Sequence, residues 1–220
     1  MLLQIEKRQA KQEKEKAIGE VGGFSNPSKM PCYSWSIPAQ LCKTGSKLAK
    51  IPGSVCHGCY ALKGFYHMPS TKNAMVRRYG KIKSKTFVSS FVKALQGETY
   101  FRWFDSGDLQ SIGMLSNIVE IAKQTPSVRH WLPTKENGLV SQYLKSGKTF
   151  PENLTVRISA PMIDQLEHSK QTGNGSIVVT SFDKIPSHAV ACNAPKQSGK
   201  CLECRACWQK NVVTIAYLKH

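Results

Sequence analysis

The chain has 220 residues and a formal net charge of +17 at pH 7. That length suffices for one domain with its own hydrophobic core, so the fold does not depend on disulfides. No stretch reaches the roughly 20 apolar residues of a membrane-spanning helix, and the first residues lack the apolar segment of a secretory signal. We therefore expect a cytoplasmic protein that does not enter a membrane.

The first predicted element is a charged helix over residues 2–19, an arm or a partner helix by its composition. Residues 24–70 follow, rich in proline and containing four cysteines. A loop of this length inside a domain is usually functional or organised by something other than regular structure. We divide the chain into an N-terminal charged helix, residues 1–22, and a single α/β domain, residues 23–220.

Beyond residue 70 the sequence alternates between helical and strand patterns. The predicted helices cover residues 71–79, 84–95, 111–123 and 139–145. The predicted strands cover residues 100–104, 128–132, 154–159, 177–181 and 211–218. This alternation predicts a parallel α/β sheet. A closed eightfold barrel usually needs about 250 residues, so we expect a partial parallel barrel or an open sheet, with irregular cysteine-rich segments toward both ends.

Basic residues are concentrated in the first half of the chain. No acidic residue occurs between Glu20 and Glu98, whereas the same stretch holds twelve Lys and Arg residues. The basic segment 29–93 can attract nucleic acid or another polyanion, although a solvated face that offsets thiolate charge would show the same pattern. The aromatic residues of this segment that can stack on bases are Tyr33, Trp35, Tyr60, Phe65, Tyr66 and Tyr79.

Near the C-terminal end, Cys201, Cys204 and Cys207 follow one another at steps of three, and Cys192 precedes them. This spacing is the one that ferredoxin-type loops use to bind a [4Fe–4S] cluster, with a distant cysteine as fourth ligand. Zinc sites more often pair two separated C-x2-C units, so zinc is the alternative. Disulfides are disfavoured in a reducing compartment.

Four further cysteines, Cys32, Cys42, Cys56 and Cys59, lie in the proline-rich segment, the last two as a C-x2-C unit. We predict that all eight cysteines are metal ligands, in one cluster or two. Spacing alone leaves open which of them share a cluster, and remote cysteines are also common as buried core residues. His57, between two of the predicted ligands, is expected to point outward.

Polar residues follow three predicted strands: Asp105 and Asp108, then Thr134 and Lys135, then Arg157 within the next strand. Because ligands of parallel α/β sheets bind at the carboxyl ends of the strands, we predict that these five residues bind a cofactor. Helix capping and turn formation are the alternative for the two aspartates. The motifs of P-loop and dinucleotide-binding proteins, zinc proteases and serine hydrolases are absent from the sequence.

Several motifs together carry a resemblance. They are Met30–Ala39, Cys56–Ala61, Gly107-Asp108, Thr134-Lys135 and Cys201–Trp208. In this order they resemble the phage gene product 88 family, from about Lys29 to His220. The resemblance implies a phage-encoded protein of the host cell cytoplasm, and it does not specify a reaction.

A second resemblance is to radical S-adenosylmethionine enzymes, in which a C-x2-C unit and a third cysteine precede a partial barrel. Here Cys42, Cys56 and Cys59-Tyr60 correspond, which implies a [4Fe–4S] cluster with one iron open to S-adenosylmethionine. The usual C-x3-C spacing is missing, and Cys32 as a fourth ligand would close the cluster. We predict an iron–sulfur protein with a radical-enzyme-like or redox role; the alternative is a nucleic-acid-binding protein with structural metal.

Overall fold

Helices and strands alternate as the hydrophobic pattern predicts. The computed structural model describes residues 2–219, with side chains from Gln4 onward, so Met1 and His220 of the two predicted segments lie outside it. The helices are α1 (Leu2–Glu20), α2 (Lys43–Leu48), α3 (Pro69–Lys81), α4 (Phe87–Ala94), α5 (Ile112–Gln124) and α6 (Asn137–Lys145). The strands are β1 (Ser34–Trp35), β2 (Tyr100–Trp103), β3 (Arg129–Thr134), β4 (Leu154–Ile163), β5 (Gly175–Val179), β6 (Ala189–Ala191) and β7 (Thr214–Leu218).

All seven strands form one parallel sheet in the order β1-β2-β3-β4-β5-β7-β6. The first five strands add one after another in the same direction, which is the winding of a barrel. The strands β1 and β6 end the sheet at opposite edges, so it stays open. The predicted α/β class and open parallel arrangement are confirmed.

One face of the sheet packs against the helices. Side chains alternate along a strand, and the buried apolar set Phe101, Trp103 and Leu132 points to the same side. These residues share a hydrophobic core with Phe91 of α4 and Ile118 of α5. The helices therefore lie on this face and leave the opposite face to another part of the chain.

The opposite face is covered by the C-terminal segment. Trp131 of β3 packs there with Trp208, their ring centroids 5.3 Å apart. The indole Nε1 of Trp208 donates to the Phe101 carbonyl (2.9 Å), and Thr155 Oγ1 donates to the Trp208 carbonyl (3.0 Å). The segment that contains the last cysteines is thus bonded directly to the middle strands.

The proline-rich segment contains β1 and the short helix α2 and is otherwise irregular, and it is anchored to the loop after β2. Gly107 in that loop has φ +80°, and a Cβ there would lie 2.7 Å from the Ile37 carbonyl oxygen. Only glycine permits this approach. The Ile37 N–H also donates to the Ser106 carbonyl (3.2 Å). The close contact helps to place Cys42, Cys56 and Cys59, but not Cys32, beside the carboxyl ends of β2 and β3.

The charged helix α1 lies against α4. Glu20 accepts a hydrogen bond from Ser90 Oγ (2.6 Å), and Lys14 pairs with Glu98 (2.5 Å). The carbonyl of Val21 accepts from the indole of Trp35 (2.8 Å). This helix is therefore a packed element of the fold. No helix within residues 2–219 is both long and apolar enough to cross a bilayer.

Candidate metal centres

The eight thiols are all free, and they fall into two groups that differ from the division suggested by sequence order. Cys42, Cys56 and Cys59 are electrostatic neighbours at the carboxyl ends of β2 and β3; we call them the rim site. The other group lies on the sheet face opposite the helices and is called the face site. It comprises Cys32, Cys192, Cys201, Cys204 and Cys207.

Burial dominates the chemistry of the rim site. It raises the pKa of Cys42 to about 12, and the neighbouring Asp108 and Cys59 add to the rise. Burial also raises the pKa of Cys56, although the Lys135 ammonium opposes it. Cys42 and Cys56 are consequently protonated at neutral pH, and a metal must displace their protons to bind.

Two features of α2 shape the rim site. A Cβ added to Gly45 would lie 3.7 Å from Cys42 Sγ and 3.6 Å from Cys56 Sγ, so the two sulfurs share the space that this glycine leaves open. The Glu136 carboxylate accepts from the backbone N–H of Thr44 (2.8 Å) and from its hydroxyl (2.9 Å). This capping contact fixes the first turn of α2, which Cys42 precedes, against the end of β3.

The predicted meeting of two strand ends occurs in the structure. Asp108, after β2, accepts hydrogen bonds from Thr134 Oγ1 (2.6 Å) and from the Lys135 N–H (2.8 Å), after β3. It also accepts from the Leu109 N–H (2.8 Å). Burial raises the pKa of Asp108 to about 6, although these hydrogen bonds oppose the rise. Three of the predicted cofactor residues are thereby brought to the rim site.

Asp105 lies apart from Asp108. Its carboxylate accepts from Ser34 Oγ (3.0 Å) and from the Tyr66 hydroxyl (3.1 Å), and its carbonyl accepts from the Tyr60 hydroxyl (2.7 Å). Burial raises the pKa of Tyr66, and Asp105 adds to this effect. The carboxylate therefore anchors the turn that follows Cys59, a structural task that explains its burial.

A cleft adjoins the rim site at the ends of β3 and β4. Its volume is about 320 Å³, and Thr44, Lys135 and Ser159 are among its lining residues. Burial lowers the pKa of Lys135, whereas the thiols and Asp108 oppose this change. Its Nζ has one long contact, 3.4 Å to the Ala160 carbonyl. The cleft thus offers a weakly paired cation to an anionic group of a small ligand.

In the face site, Cys32 joins the C-terminal cysteines across the sequence. It is buried with Trp131 and Trp208, and Cys201 and Cys207 pack against the same cluster. Burial raises the pKa of Cys32 to about 12 and that of Cys207 to about 11. The backbone N–H of Cys201 donates to the Lys29 carbonyl (2.8 Å), which joins the two chain segments.

Arg157, predicted as a cofactor residue, has a different position. Its side chain is fully buried on the face side of β4. The guanidinium donates to the carbonyls of Ala206 (3.0 Å), Cys207 (3.0 Å), Gln209 (2.7 Å) and Val212 (2.8 Å). It therefore holds the C-terminal cysteine segment on the sheet. Of the five predicted cofactor residues, Arg157 belongs to the face site, away from the cleft.

Neither thiol group is already arranged around a metal ion. Across residues 2–219, no three side chains of the His, Cys, Asp and Glu types have the spacing that holds a single ion. His57 is exposed, and its Nδ1 bonds to the Ala49 carbonyl (3.0 Å), in accord with the expected outward position. Metal binding at either site would draw the sulfurs together as their protons leave.

Comparison with known proteins assigns the chain to a family. A family model described as Gene product 88 matches residues 2–210. The chain belongs to the gene product 88 family. The match includes α1, which the motif resemblance from Lys29 onward did not, and it stops before β7. For this gene product 88 chain, neither the curated proteins nor the solved structures gave a match.

Sequence reasoning missed Arg102 as a residue of the face site of this gene product 88 chain. The signal was present in β2: Phe101 and Trp103 alternate with Tyr100 and Arg102. This period-two pattern places Arg102 on the sheet face opposite the helices, where it is half-buried beside Trp131.

Proposed function

We propose that the protein is an iron–sulfur enzyme with two [4Fe–4S] clusters. In this proposal the rim site holds one cluster through Cys42, Cys56 and Cys59, and the cleft beside it binds S-adenosylmethionine. The face site holds the second cluster. Both clusters require a reducing compartment, as expected for a protein of the host cell cytoplasm, because the thiols must stay free.

The grouping of three thiols, and not four, at the rim carries the proposal. Cys32, which would have closed the rim cluster, packs instead with Cys201 and Cys207. Three thiolates leave one iron of a cubane without a protein ligand. When bound, such a cluster supplies single electrons from an external reductant to a sulfonium ligand at that iron.

The chain's own residues fit this role. Gly45 leaves room between Cys42 and Cys56. Lys135 offsets thiolate charge at Cys56 and faces the cleft, where it can pair with the carboxylate of an amino-acid cofactor. Asp108 holds the backbone of Lys135 in position. None of these contacts is specific for iron, so zinc at either site is the competing outcome.

Separate removal of the two thiol groups tests the proposal. We expect the anaerobically prepared protein to contain iron and sulfide. Each of the double variants Cys56→Ser/Cys59→Ser and Cys204→Ser/Cys207→Ser should lose about half of the iron. S-adenosylmethionine should change the electron paramagnetic resonance signal of the reduced protein unless the rim cysteines are replaced. His57→Ala lies between two rim ligands and should keep all its iron.

Other results would reject the enzyme or the cluster. Zinc in place of iron and sulfide would exclude the iron–sulfur assignment. Full iron content without any effect of S-adenosylmethionine would leave a redox protein and exclude the open iron. Loss of all iron in both double variants would indicate a single shared cluster, in contradiction to two sites.

A second candidate function is binding of single-stranded nucleic acid around the rim site. The supporting observation is a group of exposed aromatic rings beside basic residues: Phe65 is 80% exposed and Tyr60 54% exposed. Lys63, between them in sequence, is also exposed. Stacking on aromatic rings combined with positive charge is the usual means of binding single strands without strong sequence preference.

A salt series measures this second function. We expect fluorescence anisotropy of a labelled single strand to rise with protein, and the affinity to fall steeply with salt. Phe65→Ser should weaken binding by roughly 1–3 kcal/mol per lost stacked base. Val213→Ser, at an exposed apolar residue elsewhere, is the control. Equal binding by the two variants, or none at low salt, would remove this candidate.

A further inference from the structure

Arg102 of β2 is half-buried, and its guanidinium has poor partners. Its guanidinium carbon lies 4.5 Å from the centroid of the Trp131 ring on β3. One terminal nitrogen donates to the Met30 sulfur (3.3 Å) and the other to the Phe104 carbonyl (3.4 Å), both long contacts. The Nε–H is buried and has no acceptor within the described chain.

The charge of Arg102 also lacks an ion pair. No carboxylate of residues 2–219 forms a salt bridge with it. Although burial alone would lower the pKa of Arg102, Tyr60 and Asp105 hold it above its ordinary value, so the group stays charged. The Asp105 carboxylate therefore balances part of this charge, while the Nε–H still lacks an acceptor among the described residues.

Packing joins Arg102 to the face site. The residue that accepts from its terminal nitrogen, Met30, and the ring on which it lies, Trp131, belong to one cluster with Cys32. Cys201 and Cys207 pack against the same cluster. A metal–thiolate centre at the face site would supply anionic sulfurs as acceptors for the unpaired Nε–H.

Trp131 supplies a second unpaired donor at the same place. The residue is 6% exposed, and its Nε1–H is buried without an acceptor among the described residues. Its ring belongs to the cluster that contains Cys32 and Trp208. Ligand and sulfide sulfurs of an iron–sulfur cluster accept N–H hydrogen bonds, which help to set the reduction potential.

We infer that Arg102 is a counter-cation of the face-site cluster and that Arg102 and Trp131 donate N–H hydrogen bonds to its sulfurs, which sets its reduction potential. This inference rests on the proposed cluster at the face site. The two residues are positioning residues: they tune the centre without being ligands. Positive charge and donors stabilise the reduced, more negative cluster, so their removal makes reduction harder.

The test uses Cys56→Ser/Cys59→Ser as background, so that only the face cluster is observed. There, Arg102→Met should move the midpoint potential to more negative values and lower metal affinity about 10- to 100-fold, as loss of an outer-shell partner does. Arg102→Lys keeps the charge and should shift the potential less. Arg129→Met, on the exposed start of β3, is the matched control.

Trp131→Phe keeps an aromatic ring and removes only the N–H donor. It therefore tests the inferred hydrogen bonds to the cluster even if Arg102→Met does not fold. We expect full iron content and a potential more negative than that of the background protein. Unchanged potentials in both Arg102→Met and Trp131→Phe, with normal iron, would overturn the inference alone. A background protein without any cluster would instead refute the proposed face-site centre.

Discussion

Replacement of Arg157 by methionine should detach the C-terminal cysteine segment from the sheet and lower the free energy of unfolding by about 3–5 kcal/mol. The effect is large because several hydrogen bonds break together. Four backbone carbonyls between residues 206 and 212 accept from this guanidinium at 2.7–3.0 Å. Each buried carbonyl left without a donor costs roughly 1–3 kcal/mol.

Urea unfolding and limited proteolysis would measure this effect. The variant should be cleaved within residues 192–212 faster than the normal protein. If the proposed clusters are present, it should also lose the face-site metal and keep the rim-site metal. Arg157→Lys replaces the planar guanidinium by a point charge. Its free energy of unfolding should therefore lie between those of the normal protein and Arg157→Met. We expect the exposed Arg129→Met to keep a free energy of unfolding within about 1 kcal/mol of the normal value. The same result for Arg157→Met would contradict this role of Arg157.

Lowering the pH from 8 to 5 should destabilise the fold by about 2 kcal/mol through His130 alone. Its ring is fully buried: Trp103 Nε1 donates to Nδ1 (3.3 Å), and Nε2 bonds with Thr125 Oγ1 (2.9 Å). Because Thr125 donates its own proton to the Ile121 carbonyl (2.7 Å), Nε2 is the protonated nitrogen of a neutral ring.

The direction of this pH effect follows from the pKa values of His130 in the folded and the unfolded chain. Burial lowers its pKa from 6.5 to about 3 in the folded protein, so between these values only the unfolded chain takes up the proton. Stability is then unaffected above pH 6.5 and falls by about 1.4 kcal/mol for each pH unit below it, down to about pH 3. The effect comes from the buried neutral imidazole, since protonation would break its bond from Trp103.

Urea unfolding of normal protein and His130→Asn at several pH values isolates this contribution. The variant should be less stable at pH 8 and should have a flatter decline toward pH 5. The raised pKa of Asp108 acts in the opposite direction, but both proteins share it. His57→Asn, at an exposed histidine, should follow the normal curve. Equal declines of the free energy of unfolding toward pH 5 in normal protein and His130→Asn would show that His130 is not the cause.

The sequence predicted the alternating part of the fold because its segments are long enough to show a period. Helix α5 and strand β3 lie within two residues of their predicted limits. The strands β1 and β6 were missed because two or three residues carry no recognisable alternation. Tertiary pairing with a longer neighbour, β2 or β7, makes them strands.

The candidate site was predictable only where one rule of topology applies. Asp108 and Lys135 meet because parallel strands present their carboxyl ends at one edge. The grouping of Cys32 with Cys201 follows no local rule, because it depends on the C-terminal segment crossing the sheet. The position of Arg157 was unpredictable for the same reason: its hydrogen-bond partners lie some fifty residues further along the chain.

The joining of Cys32 with residues 192–207 also fixes an order of events during synthesis of the chain. The rim cysteines and their partners Asp108 and Glu136 are all made in the first two thirds of translation. The face site cannot assemble until the ribosome has added its last cysteine, Cys207. A nascent chain therefore completes the rim first, and until its final segment emerges it carries Arg102 and Arg157 on an uncovered sheet.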